Sequence, residues 1–214
     1  MSTRTLSRAP AARGRTRSVV RRRRRRLGLV VGVGVLAALL ATVVLPRLPD
    51  ALREIALPLR HEDIIRQQAA AKRLDPSLVA AVIYTESRFR DQTSHAGARG
   101  LMQVTPDTAR YIARLSGGTS FEQGDLATPQ INIAYGTYYM RYLLDRYDGN
   151  EVLALAAYNG GEGNVDRWLA RAQTSERRSL TAQQIPFAET RGYVQQVLDA
   201  RARYRSRYAA ELGL

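Results

Sequence analysis

The sequence predicts a mainly α-helical body preceded by a single transmembrane helix, and three observations carry that expectation. Apolar residues from 60 to 214 recur at helical offsets, and no stretch alternates apolar and polar residues as a half-buried strand would. Helix punctuation is frequent: Asp75-Pro76 and Thr105-Pro106 each pair a capping side chain with proline at the first helical position, and glycines follow the apolar runs. Residues 27–45 are nineteen consecutive residues without a charge, about 28 Å long as a helix, which matches the hydrocarbon core of a bilayer.

Charge alone divides the 214 residues into a tail and a body. Residues 1–26 hold eleven arginines and no acid, +11 of the total +14, so the remaining 188 residues carry only +3. The pI of 10.9 therefore describes a tail, and nucleic acid is not an expected partner of the body. An arginine block ahead of an apolar span keeps its own side in the cytoplasm. The expectation is an uncleaved signal-anchor with the body extracytoplasmic, since the apolar run exceeds a signal peptide's usual length and no clear Ala-x-Ala site precedes Pro46. Without cysteine, such a body holds together by packing alone. The segments are then a cytoplasmic tail (1–26), a membrane anchor (27–45), a stalk with Pro46, Pro49 and Pro58 (46–59), and a body (60–214).

Within the body, a helix is expected over His61–Leu74, then one opened by Asp75-Pro76 with the stripe Val79, Val82, Ile83 and Glu86. A small, polar loop follows from Arg90 to Gly100. Thr105-Pro106 opens a helix carrying Ala109, Ile112, Ala113 and Leu115. A long helix from Ile131 presents Tyr135, Tyr138, Tyr139 and Tyr142, and Val152–Tyr158 is apolar on nearly every side. After the break at Asn159-Gly160-Gly161, a helix with Trp168 and Leu169 inward precedes a polar loop over Arg171–Gln184. The last helix runs from Pro186 to Tyr208 on Val194, Val197 and Leu198.

Chemistry narrows to one carboxylate. The two histidines, His61 and His95, are 34 positions apart, no cysteine is present, and no serine sits in a nucleophile turn, so neither a metal nor a cofactor is expected. Glu86 ends an apolar stripe, where partial loss of hydration raises a carboxyl pKa as a general acid requires. A charge that merely closes a helix at the water line produces the same pattern. Asp91 and Glu162 read as solvated loop charges.

Further stretches mix apolar surface with hydrogen-bonding side chains, as sugar sites do: Gly100-Leu101-Met102-Gln103, Ala157-Tyr158-Asn159-Gly160 and Glu189-Thr190-Arg191-Gly192-Tyr193-Val194. With Glu86-Ser87, Gly97-Ala98 and Asn132-Ile133 before Gly136, they resemble, in wording and order, the SLT-type lytic transglycosylases, a family with a lysozyme-like helical fold. The resemblance runs from about Asp75 to about Tyr204. It implies cleavage of the MurNAc–GlcNAc β-1,4 bond of peptidoglycan to a 1,6-anhydro product, with Glu86 as acid and then base. It matches Ser94 to the serine that steadies the N-acetyl group, Met102, Gln103, Tyr158 and Asn159 to groove residues, and Glu189 and Tyr193 to elements flanking the catalytic carboxyl. The loop from Glu86 to Gly100 is slightly shorter than is common in the family. Two other functions fit the same residues: a peptidoglycan-binding anchor without chemistry, and a hydrolytic muramidase.

Overall fold

The structure, a computed structural model, describes Thr42 and residues 57–117, 122–171 and 180–214. The chain divides into two units, Met1–Ile55 and Ala56–Leu214. The expected tail (1–26), the membrane anchor (27–45) apart from Thr42, and most of the stalk lie outside the described residues, as does 172–179 of the expected polar loop. No helix among the described residues is long and apolar enough to cross a membrane.

The second unit is built of helices. In chain order they are α1 (Glu62–Lys72), α2 (Pro76–Ser87), α3 (Pro106–Leu115), α4 (Pro129–Arg146), α5 (Glu151–Gly160), α6 (Glu162–Arg171), α7 (Ala188–Arg207) and the short α8 (Ala209–Leu212). Short 3₁₀ segments, Gln123–Ala127 and Ala182–Gln184, lead into α4 and α7. Extended pairing among the described residues is limited to the bridges Thr93–Arg99 and Arg99–Val104.

Helix α2 is the hub. Asp75 caps it, its carboxylate accepting from Ser77 N at 2.8 Å, and Pro76 fills the first position. Every residue from Ser77 to Tyr84 is buried, so the single apolar stripe read from the sequence gives way to a helix covered on all sides. The small side chains of Ala80 and Ala81 explain the difference, because they let neighbouring backbones close over faces that a stripe leaves to water. Helix α7 lies along α2, and α5, buried from Leu153 to Ala157, packs between α4, α6 and α7.

One arginine ties these elements together. On α7, Arg201 donates through Nη2 to Asp75 Oδ2 at 2.7 Å and through Nη1 to Glu151, joining α7 to the starts of α2 and α5. Burial pushes the Asp75 pKa up, but hydrogen bonds from Ser77 and Arg201 outweigh it and hold the carboxyl below its ordinary range. Stability from a depressed carboxyl is present above the unfolded-state pKa and disappears as pH falls through the folded one. Asp75→Ala is therefore expected to cost about 2–3 kcal/mol at pH 7 from the lost cap and ion pair. Urea unfolding of variant and wild type at pH 7 and in acid checks this: the gap closes in acid.

Candidate active site

Glu86 sits in the last turn of α2, and the chain turns sharply behind it. Arg88 and Phe89 both take left-handed backbone conformations (φ 55° and 59°), costly for residues with side chains. The turn is held because Phe89 is buried against Tyr204, ring centroids 6.1 Å apart, while Arg88 N–H returns to Tyr84 O.

The Glu86 side chain faces tyrosines. Burial raises its pKa to about 7, and the Tyr193 hydroxyl pulls the other way. Burial and the Glu86 charge together push Tyr158 and Tyr193 well above the ordinary tyrosine range, so both stay neutral donors. Tyr158 spends its proton on Met102 O at 2.9 Å. The buried Tyr193 hydroxyl has no partner of regular hydrogen-bond geometry and stands beside the carboxyl. No carboxylate among the described residues contributes to the Glu86 shift.

The loop over Glu86 is strapped down by amides. Asn132, almost fully buried on α4, accepts from Met102 N at 2.8 Å and donates to Arg99 O at 2.8 Å and Leu126 O at 3.0 Å. Gln103 donates to Gln92 O and Gly100 O, and Gln92 donates to Glu86 O at 3.3 Å. Ser94 stays in its own turn, its hydroxyl accepting from Ala98 N at 3.1 Å. Met102 corrects the expectation of a groove side chain: it is 0% exposed, packed where Gly136 leaves room, and its backbone carbonyl is what Tyr158 uses. A Cβ at position 136 would stand 2.4 Å from the Met102 sulfur.

Asn159 and Glu189 are exposed and line a separate open groove of about 550 Å³ with Gly160, Phe187 and Thr190. Phe187 is 48% exposed and rests edge-on against Trp168, centroids 5.0 Å apart. The structure thus brings Glu86, Tyr158 and Tyr193 together, gives Tyr158 the Met102 carbonyl as its partner, ties Gln103 into the loop backbone, and leaves Asn159 and Glu189 on a separate groove. Glu162 also departs from the sequence reading. It opens α6 and accepts from Tyr139 at 3.3 Å and Tyr142 at 3.0 Å, with Arg146 Nε at 3.1 Å, so it is a committed structural charge.

The profile of the family described as "Transglycosylase SLT domain" matches residues 63–181, more than half of the chain. This chain belongs to the SLT transglycosylase family. A second profile, "Soluble lytic transglycosylase helical domain", matches residues 184–211. Among curated proteins, the SLT chain is 34% identical over 161 residues to the soluble lytic murein transglycosylase of Escherichia coli K12, covering 74% of this chain and 25% of that protein. It is 31% identical to the membrane-bound lytic murein transglycosylase C of Sodalis glossinidius, covering 68% of this chain and 47% of the relative. Among solved structures, the lytic transglycosylase Slt of Pseudomonas aeruginosa, an inactive glutamate-to-glutamine mutant, superposes with a TM-score of 0.66 at 34% identity, covering 73% of this chain and 26% of that one. The 70 kDa soluble lytic transglycosylase of Escherichia coli gives 0.67 at 33%, covering 74% and 26%. The SLT chain thus spans about a quarter of its soluble relatives. Sequence reasoning missed the anchoring role of Asn132, the exposed Phe187 and the tyrosine shell of Glu162. Only the tyrosine spacing on α4 signalled the last of these.

Proposed function

We propose that this protein is a membrane-anchored lytic transglycosylase that cuts the MurNAc–GlcNAc β-1,4 bond of peptidoglycan, with its body outside the cytoplasmic membrane. The observation that carries the reading is Glu86: one carboxyl, mostly out of water, with a pKa about 7 and, among the described residues, tyrosines rather than a second acid acting on it. Ordinary glycosidases place two carboxyls about 5–5.5 Å or about 6.5–9.5 Å apart. A single acid suffices when the sugar supplies its own nucleophile.

Protonated Glu86 gives its proton to the bridging oxygen, and the C1–O bond breaks to leave the GlcNAc 4-hydroxyl. The MurNAc N-acetyl oxygen, steadied by Ser94, stabilises the positive charge at C1. Glu86, now a carboxylate, takes the proton of the MurNAc C6 hydroxyl while O6 bonds to C1. The product is a 1,6-anhydro ring, Glu86 is again protonated, and no water is consumed. Tyr193 and Tyr158 flank the carboxyl, Met102 and Gln103 hold the loop that covers it, and Asn159 and Glu189 position the glycan along the adjoining groove.

Tyr193 stabilises the charged form of Glu86, so Tyr193→Phe raises the pKa further. The alkaline limb of the pH–rate profile is expected to move up by roughly half a unit, with the rate itself reduced severalfold. An unmoved limb removes Tyr193 from this role. The proposal as a whole is tested by digesting purified sacculi with the full chain and weighing the released muropeptides. Anhydro ends support it, reducing MurNAc ends assign a muramidase, and binding without release assigns an anchor.

A further inference from the structure

A second cavity, also about 550 Å³, lies between the end of α1 and the C-terminal half of α4, lined by Lys72, Arg73, Tyr138, Arg141, Tyr142 and Asp145. Its charges do not balance. Arg141 is paired with Asp145 at 2.6 Å, but Lys72 and Arg73 have no carboxylate partner among the described residues. The Lys72 ammonium instead donates at 2.7 Å to Gln68 Oε1, a neutral and buried amide. Burial lowers the Lys72 pKa, the direction expected of a cation lacking a counter-charge. Two uncompensated cations in a concave, tyrosine-walled space form a ready anion site.

The cavity is connected to the acid by aromatic rings. Tyr158, whose titration feels Glu86, packs against Tyr139 at 5.5 Å, and Tyr139 stacks on Tyr142 at 6.1 Å. The Tyr142 hydroxyl is committed to Tyr111 and Glu162, so its ring serves as wall.

We propose that this cavity holds a free carboxylate of the peptide carried by the glycan strand, with Lys72 and Arg73 as its counter-charges. The inference rests on the peptidoglycan reading and adds a peptide site to it. Asp145, two-thirds exposed at the rim (68%), favours a ligand that also carries an amine over a phosphodiester polymer, which has no positive group to offer it.

The test uses the full chain carrying Glu86→Gln, titrated with free stem tetrapeptide released from sacculi by an amidase and followed calorimetrically. Adding Lys72→Gln with Arg73→Gln is expected to weaken binding at least tenfold, Lys72→Arg to preserve it, and amidating the peptide's carboxylates to weaken it about tenfold on the chain with Lys72 and Arg73 intact. Equal affinity for the neutralised variant or the amidated peptide overturns the proposal. So does tighter, Lys72-dependent binding of a glycerol phosphate polymer. Absent peptide binding in a chain whose unmutated form still releases anhydro muropeptides defeats the cavity assignment alone. Loss of anhydro product instead defeats the parent reading.

Discussion

Glu86→Gln is expected to lower release of muropeptides from sacculi by at least about 10³-fold, because in the proposed mechanism one group supplies both proton transfers and no carboxylate among the described residues shifts its titration. The same substitution should make the protein more stable in mild alkali. A folded-state pKa of about 7, raised from the ordinary 4.5, means that the native state binds a proton the unfolded chain has released. Stability from that proton is complete below the unfolded pKa and is lost as pH rises through 7. Glutamine keeps the shape without the charge, so at pH 8 the variant should melt about 4–8 °C higher than wild type, while near pH 4 the two should melt together. Thermal melts at both values, run beside the activity assay, separate an inactive enzyme from a damaged fold.

Asn132→Ala carries the largest expected effect on folding. Asn132 is 1% exposed, and its removal leaves Met102 N–H and Leu126 C=O without their partner, while Arg99 C=O keeps the Val104 N–H at 3.1 Å. At about 1–3 kcal/mol for each of these two buried groups left unpaired, partly relieved by water, the cost is about 2–4 kcal/mol, a large share of a domain's usual stability. Gly100 narrows any local repair: it has φ 77°, and a Cβ there would meet the Asn132 amide at 2.2 Å, so this stretch already sits at contact distance. Urea unfolding should show the loss, and hydrogen exchange at Met102 N–H should accelerate before the helices open. A variant as stable as wild type would show that the loop is held from elsewhere.

How much of this was legible in the sequence depends on how local the signal is. The cap and start of α2 follow from Asp75-Pro76, and Glu86 at its far end follows from the apolar run before it. The burial of α2 on every side was not readable, because Ala80 and Ala81 look neutral until α7 closes over them. Glu162 follows two glycines and reads as a loop charge, yet Tyr139 and Tyr142, some twenty positions earlier, reach it across the fold. Asn132 was visible as a motif residue but not as the amide that satisfies three loop groups, since pairing over thirty positions leaves no periodic trace. Met102 suited a sugar face by its chemistry, whereas the space left by Gly136 takes it inside.

Digestion of sacculi by the full chain in oxygen-18 water measures most directly whether the sugar or the solvent closes the reaction. The mechanism predicts that newly formed MurNAc ends carry no heavy oxygen and are lighter by one water than a hydrolytic product. Label at C1 of those ends would mean that water is the nucleophile, and the single-acid account of Glu86 would be wrong.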